Sequence, residues 1–106
     1  MTPLQQSQFD QAIGQELLRS TPKGWRGVLL TARLSDGPAD SWSLRITLER
    51  RPPGLGVAFV SPALEQRLAE MFAAHRRADS GMVEARYIVE GIDSSPSIIS
   101  EFEYRE

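Results

Sequence analysis

The apolar side chains of this 106-residue chain recur first at helical spacing, then at period two, then at helical spacing again, and finally at period two. No other feature constrains the fold as strongly, because a 3.6-residue repeat and a two-residue repeat present incompatible faces to a core. Leu4, Phe9, Ala12, Ile13 and Leu17 set the first repeat, with Gln5, Gln8, Gln11, Gln15 and Glu16 between them. Thr2 and Pro3 supply a capping hydroxyl and a first-turn proline, so the spacing predicts a helix over 3–19. Ser20-Thr21-Pro22-Lys23-Gly24 ends it. Gly14 inside this helix either costs about 1 kcal/mol relative to alanine or permits a close contact.

From Trp25 the period is two. Val28, Leu30, Ala32 and Leu34 alternate with Leu29, Thr31 and Arg33, and Trp42, Leu44, Ile46 and Leu48 alternate with Ser43, Arg45, Thr47 and Glu49. The turn Ser35-Asp36-Gly37-Pro38 joins them as an antiparallel pair with one buried face. Pro52 and Pro53 stop the second strand, and Gly56-Val57-Ala58-Phe59-Val60 reads as a short further strand. Ser61-Pro62 repeats the helix-start chemistry, and Leu64, Leu68, Met71, Phe72 and His75 line one face of a helix over 62–77. Its last turn carries Arg76 and Arg77, where the helix dipole favours cations. Two strands follow: 82–90, with Val83, Ala85, Tyr87 and Val89 inward, and 98–104, with Ile98, Ser100, Phe102 and Tyr104 inward. The order α-β-β-(β)-α-β-β predicts one α+β domain, a two-layer sandwich with two helices on one face of a four- or five-stranded, mainly antiparallel sheet.

Composition excludes several function classes. No apolar run approaches the 18 or so residues of a membrane helix, and the N-terminus lacks a basic start followed by an apolar run, so a cytoplasmic protein is expected. Without cysteine there is no disulfide or thiolate metal site, and a lone His75 cannot build a histidine site. The net charge of −2 argues against direct binding of nucleic acid or anionic membrane. That charge is unevenly spread: residues 79–106 hold Arg86 and Arg105 against Asp79, Glu84, Glu90, Asp93, Glu101, Glu103 and Glu106, whereas the preceding part is net basic.

Catalytic constellations are scarce. The chain has no nucleophile elbow, phosphate loop, dinucleotide fingerprint or H-E-x-x-H. The G-x-G of Gly54-Leu55-Gly56 precedes a strand instead of opening a helix. His75 could act as a general base, but with no neighbouring nucleophile a packed or solvated histidine is the simpler reading. No enzymatic activity, cofactor or metal is expected. Trp25 reads either as a plug at the end of the sandwich or as an exposed interface anchor. The uncovered sheet face carries Thr31, Arg33, Ser43, Arg45 and Thr47 on one strand pair and Glu84, Arg86, Glu90, Glu101 and Glu103 on the other. Such a face is either a solvated salt-bridged surface or a charged docking surface.

Two stretches resemble a known family. Ser20-Thr21-Pro22-Lys23-Gly24-Trp25-Arg26-Gly27-Val28-Leu29-Leu30 follows an amphipathic helix with a Pro-x-Gly-Trp turn and a strand, and the chain closes on Ser100-Glu101-Phe102-Glu103-Tyr104. Together they resemble the YezG-like immunity proteins, bacterial antitoxins paired with secreted polymorphic toxins that are often nucleases. The resemblance implies an immunity protein that binds a cognate toxin and occludes its active-site cleft. A nuclease or nucleotide-binding toxin would present a cationic cleft, and the residues placed to meet it are Glu84, Glu90, Asp93, Glu101 and Glu103, with Trp25 as an anchor. The alternative is a small adaptor or secretion chaperone using the same sheet.

Overall fold

The computed structural model describes residues 1–105, so Glu106 of the acidic C-terminal part lies outside the described residues. Helix α1 (Pro3–Ser20) begins in a capping box. Thr2 Oγ1 accepts from the Gln5 amide at 3.2 Å, and Gln5 Oε1 accepts from the Thr2 amide at 2.9 Å, so two otherwise orphaned donors are satisfied. At the other end Ser20 and Thr21 hydroxyls donate to the Glu16 and Leu17 carbonyls before Pro22 stops the helix. Helix α2 (Pro62–Arg77) starts at Ser61, whose Oγ accepts from the Leu64 amide at 3.1 Å.

The four strands are β1 (Gly27–Asp36), β2 (Trp42–Arg51), β3 (Met82–Glu90) and β4 (Ser97–Tyr104). They form one sheet in the order β2-β1-β3-β4, and every neighbouring pair is antiparallel. Because β1 runs against both neighbours, β2 and β3 are parallel to each other. A parallel return needs a long crossover, and α2 provides it across the core face. Both helices pack on that one face, giving the expected α+β two-layer sandwich with four strands.

Apolar burial is deepest over the two central strands. Val28, Leu30 and Ala32 of β1 and Ala85, Tyr87 and Val89 of β3 are fully buried against Ile13 and Leu17 of α1 and Leu64, Leu68, Met71 and Phe72 of α2. Gly14 resolves toward close contact: it is buried, and a Cβ there would sit 2.7 Å from Ile98 Cδ1, so α1 rides directly on β4. The inward residues of the edge strand β2, Trp42, Leu44, Ile46 and Leu48, are half-buried, as is Phe102 of β4. Two helices do not span four strands. Arg45 lies exposed between Leu44 and Ile46, so the strand has the expected parity.

Three expectations need correction. The segment Gly56-Val57-Ala58-Phe59-Val60 is not a strand. After Pro52 and Pro53 it leaves the sheet and crosses to the helix layer, with Ala58 and Val60 packed on the core and Phe59 82% exposed. Phe59 is therefore not a core residue. In β3 the register shifts between Met82 and Glu84, a bulge that turns Met82 instead of Val83 into the core. Finally, Tyr104 and Leu4, read as inward, are largely exposed because each lies at the margin of its element.

Candidate functional site

One face of the sheet carries the helices and, among the described residues, nothing covers the other. Cross-strand register arranges the open face in transverse rows. Arg45, Arg33, Glu84 and Glu103 make one row; Thr47, Thr31, Arg86 and Glu101 make the next; Glu49, Leu29, Ile88 and Ile99 make the third. The first two rows are tied by ion pairs. Arg33 reaches Glu84 at 3.4 Å and Glu103 at 3.2 Å, and Arg86 reaches Glu84 and Glu101, each at 3.3 Å. Glu84, whose side chain is only 13% exposed, is clamped between the two guanidinium groups. The third row is an apolar strip, Leu29–Ile88–Ile99, across three strands, and Ile99 is the most exposed of the three.

The strip leads into a groove of about 820 Å³ at the end of the sheet. Its walls include Leu29, Glu49, Arg51 and Glu90 from the strands and Pro52, Pro53 and Gly54 from the following loop. Trp25 forms the back. It is 5% exposed and belongs to the core, with the Arg50 guanidinium 5.9 Å from its ring and Gly56 against its indole edge. Of the two readings of Trp25, the plug at the end of the sandwich describes its place; it is not an exposed anchor. A side chain at Gly56 would press on Trp25, and the positive φ of this residue suits glycine.

The structure therefore brings Glu84, Glu101 and Glu103 together on one face and leaves two of the expected residues at its margin. Glu90 closes the end of β3, 3.7 Å from Arg51, and Asp93 is exposed in the β3–β4 loop. The salt-bridged reading of this face describes its charges, with Arg33 and Arg51 joining Arg86 as partners. Four of the five acids have an arginine partner, contributed by β1, β2 or β3, so the surface is a mosaic of both signs instead of an acidic field. Ion pairs at this level of exposure contribute little stability each, about 0–1 kcal/mol.

His75 lies on the opposite side of the sheet, in a polar chain between the helices and β3. Its Nε2 is 2.6 Å from Gln6 Oε1 and its Nδ1 is 2.7 Å from Ser80 Oγ. Gln6 Oε1 can only accept, which places the proton on Nε2 and makes Ser80 the donor to Nδ1. The Gln6 amide nitrogen donates to Asp10 at 2.8 Å, and the Tyr87 hydroxyl donates to the same Asp10 oxygen at 2.6 Å. Burial, then the positive chain N-terminus, push the His75 pKa below its ordinary value against an opposing pull from Asp10. Burial and the Asp10 hydrogen bond push the Tyr87 phenol far above its ordinary range. Asp10 was not singled out in the sequence, since nothing in 3–19 marks it as the acceptor for a tyrosine 77 residues away. Both histidine nitrogens are thus engaged, Nε2 with Gln6 and Nδ1 with Ser80.

Among the described residues, no group of three or more His, Asp or Glu side chains is placed to hold a metal ion, and no helix is long and apolar enough to cross a membrane. Comparisons of the chain with protein-family models, with curated proteins and with solved structures found no match in any of the three.

Proposed function

We propose that this protein is an immunity-type inhibitor that works without catalysis, binding a cognate bacterial toxin in the cytoplasm through the open face of its sheet. The observation that carries this reading is the uncovered face itself, with the strip Leu29–Ile88–Ile99 bordered by the ion-paired rows of Arg33, Glu84, Arg86, Glu101 and Glu103. An apolar strip flanked by charged rows matches the apolar core and polar rim of protein-binding patches. The neutralised acids refine the expected mechanism. A cationic cleft would meet Glu101 and Glu103 only by competing with Arg33 and Arg86, so charge supports selectivity and association rate while the apolar strip and groove supply affinity.

The test is neutralisation. The tagged chain is used to capture partners from its source bacterium, and each stoichiometric partner is then expressed alone and together with this chain. A partner that arrests growth alone and is tolerated on co-expression supports the reading. A stoichiometric partner that is harmless alone and belongs to a secretion apparatus overturns it in favour of an adaptor or secretion chaperone.

A further inference from the structure

We infer that β2 is a homodimerisation edge, at which two copies pair antiparallel about Thr47 to make one continuous eight-stranded sheet. The first observation is that the edge is long and regular. β2 pairs with β1 over ten residues without a bulge, and it holds neither lysine nor proline before the chain turns away at Pro52. Natural edge strands usually carry such guards, because free backbone donors and acceptors recruit another strand.

The second observation concerns charge. Arg33, Glu84, Arg86, Glu101 and Glu103 on the open face all have ion-pair partners, whereas Arg45 and Glu49 have none among the described residues. Arg45 faces Arg33 across the β1–β2 ladder, a like-charge pairing, and Arg33 turns toward Glu84 and Glu103 on the far side. Glu49 faces Leu29. Both side chains are exposed, and the free outer side of β2 is where a second copy would supply their countercharges.

A twofold axis normal to the sheet must pass through a residue, since only then do matching faces of the two strands align. Centring it on Thr47 sets Arg45 of each copy opposite Glu49 of the other, so each unpaired charge gains one partner and the dimer gains two such pairs. The same register sets Ile46 against Leu48 on the core side, where the helices leave both half-exposed. Neighbouring registers fail. Centres at 45 and 49 oppose like residues to themselves, a centre at 48 sets Arg45 against Arg51, and a centre at 46 leaves Arg45 opposite Thr47. The other edge offers no equivalent, because β4 carries Glu101 and Glu103 and no basic side chain.

Sedimentation velocity over a concentration series reads the outcome, with circular dichroism confirming that each variant is folded. The wild type should show a monomer–dimer equilibrium that weakens as salt rises. Arg45→Glu and Glu49→Arg should each weaken self-association on the order of tenfold or more, since each turns two attractive pairs into two repulsive ones. An equimolar mixture of the two variants should restore a dimer, as should the double exchange Arg45→Glu, Glu49→Arg. A monomeric wild type overturns the proposal. So does a dimer indifferent to these substitutions, or a mixture of the single variants that stays monomeric.

Discussion

Gly27 carries a steric constraint that a composition count does not reveal. It begins β1 between the ends of β2 and β3, and a Cβ there would lie 2.6 Å from the Val89 carbonyl oxygen and 3.1 Å from that of Arg51. Both obstacles are backbone, so neither can swing away. Gly27→Ala should destabilise by about 1–3 kcal/mol, the cost of overpacking, as read from urea unfolding midpoints. At the same scale His75 predicts a pH response. Above its ordinary value of 6.5, folded and unfolded chains both hold the imidazole neutral. As pH falls below that value the unfolded chain takes up a proton that the folded chain, with its lowered pKa, resists. Stability contributed by the neutral histidine should therefore decline with acid until the lower folded value is passed. Thermal melts across that range should show a steeper decline for the wild type than for His75→Gln; parallel slopes would assign the acid sensitivity to other groups.

At the scale of elements, the two helices and the connecting segment ahead of α2 differ in how firmly they are tied. α2 is held by four fully buried apolar side chains and by the Ser61 cap, whose hydroxyl also lies 3.2 Å from that of Ser20 at the end of α1. Ser61→Ala should cost about 0.5–2 kcal/mol, and Leu68→Ala about 2–5 kcal/mol by transfer and cavity terms together. The segment before it behaves oppositely. Leu55, Val57 and Phe59 project into solvent, so Phe59→Ser should leave stability within about 0.5 kcal/mol of the wild type. Unfolding midpoints for these three variants rank the contributions directly. A loss at Phe59 as large as that at Leu68 would mean that the segment packs as an element in solution.

On the scale of the whole molecule, two helices cover one side of a four-stranded sheet and, among the described residues, nothing covers the other. The open face is the geometric consequence, and it is the surface on which the proposed function rests. Ile99→Asp should leave the thermal melt almost unchanged, because the side chain is about half exposed on an edge strand, yet reduce partner capture at least tenfold by charging the apolar strip. Reversing charge with Glu101→Lys and Glu103→Lys should act differently. Both lysines would confront Arg86 and Arg33, and association with the captured partner measured by surface plasmon resonance should slow most at low salt. Affinity of the double variant unchanged from the wild type at both low and high salt would remove the acidic strands from the interface.

The sequence by itself determined the element order, the helix starts and most of the inward faces, because these depend on local chemistry. Thr2-Pro3 and Ser61-Pro62 cap with their own hydroxyls, and strict alternation in β1 and β2 leaves one parity open to a core. Strand order, and with it the pairing of each charge, belonged to the tertiary structure. Glu84, Glu101 and Glu103 were legible as residues of one face with Arg86, but the pairing of Glu84 and Glu103 with Arg33 depends on β1 lying beside β3, which brings Arg33 within reach of acids 51 and 70 positions away. The same long-range packing made Trp25 a buried plug, placed Asp10 against Tyr87, and denied strand status to the apolar run Gly56-Val57-Ala58-Phe59-Val60. Periodicity reports which side of an element is apolar. Only the assembled fold decides whether another element arrives to cover it.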